Sequence, residues 1–231
     1  MNENVLKEVD KKLIDYIINN IFPMYRDVDD KSHGLEHIYS VINRSFDLLH
    51  NLKLNLNHNI VFTIAAYRDI GRIINDEEHE VVSAQMFLED EFMKNYYKSD
   101  ILKLISEAIE DHRASIKYEP RSDYGKLVSS ADRNHNIIQP LVRTYQYRLK
   151  QSPDSPLENK IRESYEVLKN KFGKNGYAEN VWFDDGVYKQ YLVDLRLLME
   201  NYDEFRKRYI EVNLIDENNL STLKKTKKDN L

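Results

Sequence analysis

The run Ile60-Val61-Phe62-Thr63-Ile64-Ala65-Ala66-Tyr67 is apolar on nearly every helical face, and it leads straight into Arg68 and Asp69, with Gly71 just beyond. A helix without a polar face has to be buried, so this chain must build its core around that segment. The fold must then deal with the charges at its end. A carboxylate entering a core is costly unless a metal, a cation or hydrogen bonds satisfy it. Residues elsewhere that could do so are His33, His37, His79, His112 and Asp132.

The rest of the chain reads as all-α. Apolar residues recur at helical spacing, and alternating strand patterns are hard to find. Six glycines and five prolines in 231 residues are too few to punctuate an all-β design. The spacing predicts helices over Leu6 to Ile21, Ser32 to Asn51 and Asn57 to Ile70. Further helices are expected over Glu77 to Glu89, Ser99 to His112, Tyr124 to Asp132 and Ile137 to Leu149. Pro140 falls in the first turn of the last of these, where it is tolerated. Gln151 to Pro156, with two prolines and two serines, is the clearest linker. Helices follow over Leu157 to Lys171 and Gly186 to Val212. No internal repeat is evident.

Composition excludes several function classes. No apolar run approaches a membrane span, and the first residues, MNENVLKEVDKKL, are charged and amphipathic rather than a signal sequence. With no cysteine there is neither a disulfide framework nor a thiolate zinc site; a cytoplasmic location is the default expectation. A net charge of −5 argues against general nucleic-acid binding. The basic tail, Lys224, Lys225, Lys227 and Lys228 against Asp229, reads as a solvated end. Glycine-rich phosphate loops and the G-x-S-x-G and H-E-x-x-H motifs are absent.

What remains is a set of inward-facing histidines and carboxylates. His33 and His37 are four apart and share one helical face, and His37 borders the stripe of Ile38, Val41 and Ile42. His79 shares a face with Val82 and Met86. His112 follows the stripe Leu102-Ile105-Ile109, and Asp132 follows Val128 by one turn. A single inward histidine is most often a satisfied core residue. Several on separate helices suit a divalent ion bound by nitrogen and oxygen donors inside a bundle.

Three segments carry a resemblance: Ser32-His33-Gly34-Leu35-Glu36-His37, then Ala65 to Gly71, then Ser130-Ala131-Asp132-Arg133. In order and spacing they resemble the HD-domain superfamily of metal-dependent phosphohydrolases, whose pattern is a histidine, a His-Asp doublet and a distant aspartate. The resemblance spans roughly residues 20 to 150. It implies an HD-type helical metal-binding domain over 1–150 and leaves 151–231 as a C-terminal helical extension packed on the same domain. It also implies one or two divalent ions per chain (Mn, Fe, Mg or similar). His37, Asp69 and Asp132 would hold the first and His79 and His112 the second, with Asp69 between them. His33, Asp69 and Arg68 would stand at the reacting centre.

The chain departs from that pattern at the doublet, where Arg68 takes the place of histidine. A guanidinium has no lone pair to offer a metal, so the departure predicts a weaker first metal site and impaired activity. Arg68 would instead pair with Asp69 or Asp132, or grip a phosphate. Arg113, Lys117, Arg121, Lys126, Arg133 and Arg143 form a basic set that would attract a phosphorylated substrate, or else lie in solvated salt bridges. His50, His58 and His135 have no evident partners and read as surface residues.

The expectation is therefore a metal-dependent phosphohydrolase acting on a small phosphorylated compound, with nucleotides among the candidates. The alternative is a non-catalytic HD module that binds a nucleotide or a protein partner. The C-terminal helices are open to a homodimer contact.

Overall fold

The computed structural model describes residues 1–27, 34–133, 135–179 and 181–214. Ser32 and the lysines of the tail lie outside the described residues, as does His33. Among the described residues there are twelve α-helices and no strand, as the periodicity predicts. No helix among them is long and apolar enough to cross a membrane.

The chain divides into two compact units. The first comprises Met1–Arg133 with Asn180–Tyr188, and the second Asn134–Glu179 with Lys189–Leu231. Residue 150, the expected boundary, falls near the end of helix α9 (Ile138–Gln151), inside the second unit.

At the centre of the first unit is α4 (His58–Tyr67), buried at every position from Ile60 to Tyr67. Asn57 caps it by accepting from the amides of Asn59 and Ile60. Around it pack α3 (Leu35–Asn51), α7 (Ser99–Glu110) and α8 (Asp123–Ala131), while α5 (His79–Glu89) packs on α7. These helices and α1 (Glu3–Glu8) surround one apolar core.

Several boundaries differ from the periodicity, each for a local reason. The first expected helix is broken into α1 and α2 (Lys11–Tyr16) because the Asp10 side chain accepts from the Lys12 amide and starts a new helix. A π-helical turn (Ile17–Ile21) and a 3-10 turn (Phe22–Asp27) follow. A short α6 (Glu91–Tyr96) is capped by Asp90, which also accepts hydrogen bonds from Tyr16 and Tyr67. The helix expected over Gly186 to Val212 divides at Asn201, whose side chain caps α12 (Tyr202–Val212) and ends α11 (Val187–Glu200).

Residues 181–185 return to the first unit. The amides of Trp182 and Phe183 donate to Ser130 Oγ at 3.2 and 3.0 Å. Asp185 receives both terminal nitrogens of Arg44 at 2.5 and 2.7 Å. In the second unit α9 and α10 (Leu157–Phe172) pack together, and α12 packs on both. Tyr209, buried there, is hydrogen-bonded to Ser164 at 2.8 Å.

Candidate metal centre

The site begins where α4 stops. Arg68 ends the helix, and Asp69 adopts φ −114° and ψ 1°, the bridge region. A 3-10 turn (Ile70–Ile73) follows. Gly71 allows this turn to lie directly against α5: a Cβ there would collide with the His79 carbonyl and come within 2.7 Å of the Ser83 amide nitrogen. The Gly71 amide donates to Ser83 Oγ at 2.8 Å. The missing side chain thus lets the first residue of α5, His79, reach the Asp69 carboxylate.

Asp69 is 1% exposed, and its two oxygens face different surroundings. On one side, Arg68 Nη2 lies 3.2 Å from Asp69 Oδ2 and 3.2 Å from Asp132 Oδ1. Asp132 Oδ1 is also 3.0 Å from His37 Nε2. Arg68 is fully buried and donates from Nη1 to the Ala65 carbonyl at 2.8 Å, while its Nε has no partner among the described residues. The guanidinium stands between the two aspartates that the HD pattern assigns to an ion.

On the other side, His79 Nε2 and His112 Nε2 lie 3.3 and 3.6 Å from Asp69 Oδ1, and 3.4 Å from each other. Both rings are buried. His79 Nδ1 is 2.9 Å from the Asp76 carbonyl and His112 Nδ1 is 2.7 Å from that of Ile109. A carbonyl only accepts, so each Nδ1 carries the proton, and in the neutral rings both Nε2 lone pairs turn toward Asp69.

Two lone pairs and a carboxylate oxygen crowded together repel one another unless a cation lies among them. The three edges, 3.3, 3.4 and 3.6 Å, match a tetrahedral face, about 3.4 Å on edge for bonds of about 2.1 Å. The donor set therefore fits a metal ion. His37, Asp69 and Asp132 form a second group with converging donors, but Arg68 supplies the positive charge there.

Arg72, absent from the residues that the sequence pattern singles out, also reaches this centre. Its Nε donates to Asp69 Oδ1 at 3.0 Å and its Nη2 lies 3.2 Å from His79 Nε2, while Nη1 pairs with Asp76. An ion bonded to His79 needs the lone pair that Arg72 now uses, so Arg72 must swing away. Asp76, 77% exposed, offers it a route toward solvent. The one available signal was its spacing, three residues after Asp69.

The charges follow from these contacts. Burial alone would raise the Asp69 carboxyl, but the charge of Arg68 holds it well below the usual carboxylate range. Asp132 is lowered in the same way, with desolvation outweighed by Arg68 and His37. Burial lowers His37 in spite of its bond to Asp132. The site presents two carboxylates, two arginines and neutral-leaning imidazole at His37.

The proposed phosphate-binding residues are largely committed elsewhere. Arg113 Nη1 donates to Glu80 at 2.8 Å and to the Glu77 carbonyl at 2.8 Å. Arg121 is spent on Asp111 and Glu110, at 2.8 and 2.6 Å. Lys126 pairs with Glu119 at 2.6 Å. Lys117 is exposed in the loop after α7, and Arg133 directly follows Asp132. Arg143 lies on α9, in the second unit.

Comparison with family models, with curated proteins and with solved structures gives no match to this chain.

Proposed function

We propose that this chain is a metal-dependent phosphohydrolase of the HD type, acting on a small phosphorylated compound such as a nucleotide. The observation that carries the reading is the Asp69–His79–His112 triangle, with both Nδ1 protons engaged by backbone carbonyls. The order of His37, Asp69 and Asp132 along the chain supports the HD assignment. A divalent ion, Mn, Fe, Mg or similar, lowers the pKa of a coordinated water and offsets phosphate charge.

The chain's own residues supply the rest. Asp69, His79 and His112, all three buried, would hold the ion. Arg68 keeps Asp69 ionised and fixes its plane. Arg72, once displaced from His79, is free to take a phosphate oxygen in bidentate fashion. Lys117, exposed in the loop after α7, is a basic residue near His112 in sequence that the salt bridges above leave available for substrate.

A second reading is favoured by the bridging position of Arg68. With the guanidinium supplying the charge between Asp69 and Asp132, the chain would be a non-catalytic HD module that binds a nucleotide or a protein partner.

Metal analysis and turnover of phosphomonoester, phosphodiester and pyrophosphate substrates, in the natural chain and in Arg68→His, separate the two. The phosphohydrolase reading expects at least one bound ion per natural chain, a second in Arg68→His, and faster turnover in the variant. Absence of metal from both chains would end it. Phosphate-ligand binding without metal, with no activity gained in Arg68→His, would establish the second reading.

A further inference from the structure

Away from Asp69, a different set of metal-type donors comes together in the first unit. Glu8 ends α1, His50 lies in the last turn of α3, and His58 opens α4. His50 Nε2 lies 3.0 Å and His58 Nδ1 3.5 Å from the same oxygen, Glu8 Oε2. The three donor atoms are all within 4.8 Å of one another. Two imidazole nitrogens from separate helices thus converge on one carboxylate oxygen.

The surroundings hold this arrangement in place. Both rings rest against Phe46, with ring centroids 6.4 and 5.5 Å away, and Phe46 is fully buried. The helices are tied together independently of the three donors. The Asn2 amide donates to Asn43 at 2.9 Å, and the Asp10 amide donates to Asn59 at 2.9 Å. The donors therefore stand on elements already fixed, with an apolar floor beneath, as a preorganised site requires. Their side chains are 38, 34 and 31% exposed for His50, His58 and Glu8, so an ion can enter from solvent and keep water at its open positions.

We propose that Glu8, His50 and His58 form a site for a zinc-class divalent ion that clips α1 to the ends of α3 and α4. Two imidazoles and one carboxylate are borderline donors that favour zinc, copper, nickel or cobalt over magnesium. Three protein ligands with water completing the shell is a familiar zinc coordination. The observed 3.0 and 3.5 Å edges are close to the roughly 3.4 Å expected for bonds of about 2.1 Å, and small torsional changes at the exposed rings bring in the third. The site does not depend on the function proposed for Asp69.

The test is calorimetric titration of the full, chelator-stripped chain with Zn2+ alone, beside His50→Ala, His58→Ala, Glu8→Gln and His112→Ala. The natural chain should take up one more zinc than His50→Ala or His58→Ala, and His112→Ala should retain that ion. Glu8→Gln should bind it at least tenfold more weakly. Zinc should raise the melting temperature of the natural chain and of His112→Ala by several degrees more than that of His50→Ala, and Mg2+ should not substitute. Should His50→Ala fail to fold, His58→Ala and Glu8→Gln give the same reading. Equal zinc stoichiometry and affinity in the natural chain and in whichever of these three variants fold would overturn the proposal.

Discussion

The two oxygens of Asp69 divide its surroundings into halves that solve the same problem differently. On the Oδ2 side the chain brings its own cation, Arg68, already paired with two aspartates and buried. On the Oδ1 side it gathers lone pairs from His79 and His112 and lends them the more exposed Arg72. The first half is complete within the chain. The second is stabilised only when a positive charge enters or Arg72 stays. The contrast teaches that one buried carboxylate can be held on one side by a fixed ion pair and on the other by donors that fit a metal ion.

The largest effect is expected from Asp69→Asn. It strips Arg68 of one of its two carboxylates in a dry site, a loss of roughly 3–5 kcal/mol for a buried pair, and removes the shared metal oxygen. His79→Ala removes only a member of the electron-rich half, so metal-free stability should fall by much less while metal uptake at Asp69 is lost. Urea denaturation with and without metal measures both. Equal destabilisation by the two variants would break the contrast between the halves.

Gly71→Ala should act on the Oδ1 half alone. The new Cβ meets the backbone of His79 and Ser83, and relieving such overpacking costs about 1–3 kcal/mol. The start of α5 must shift, carrying His79 away from Asp69, while Arg68 and its aspartates stay in place. Metal affinity should fall at least tenfold with stability reduced by about 2 kcal/mol. Unchanged metal affinity would show that the tight turn does not position His79.

Much of this was legible in the sequence because it depended on local pattern. The apolar run Ile60 to Tyr67 required a central helix. His37 and His79 fell on helices that the spacing predicts, and Asp69, His112 and Asp132 just beyond the ends of α4, α7 and α8. What escaped depended on contacts across the fold. Arg72 gained its place through the geometry of the turn at Gly71, and Arg113 and Arg121 were claimed by Glu80 and Asp111. His50 and His58, read as lone surface residues, share Glu8 across more than forty positions of chain. The helix breaks at Asp10 and Asn201 are cap effects, which an apolar stripe running through them conceals.

The Arg44–Asp185 pair offers a milder version of the Arg68 half, and it gives the smallest expected effect. It is bidentate, at 2.5 and 2.7 Å, with side chains 11 and 5% exposed, and no imidazole lone pairs crowd it. The hydrogen bonds from Arg44, opposed by partial burial and aided by Asn51, hold the Asp185 carboxyl below its ordinary range. A carboxyl lowered in the folded state stabilises above the unfolded-state pKa of about 3.9, and that contribution fades as pH falls below it. Asp185→Asn should therefore cost about 1–2 kcal/mol at pH 7, as for a charge-assisted hydrogen bond, and less as the pH approaches 3. The gap between the denaturation curves of the two chains should narrow from pH 7 to 3 without closing. A gap as large as that of Asp69→Asn would mean that complete burial is not what sets the Arg68 half apart, and a gap that widens in acid would reverse the sign assigned to the Asp185 carboxyl.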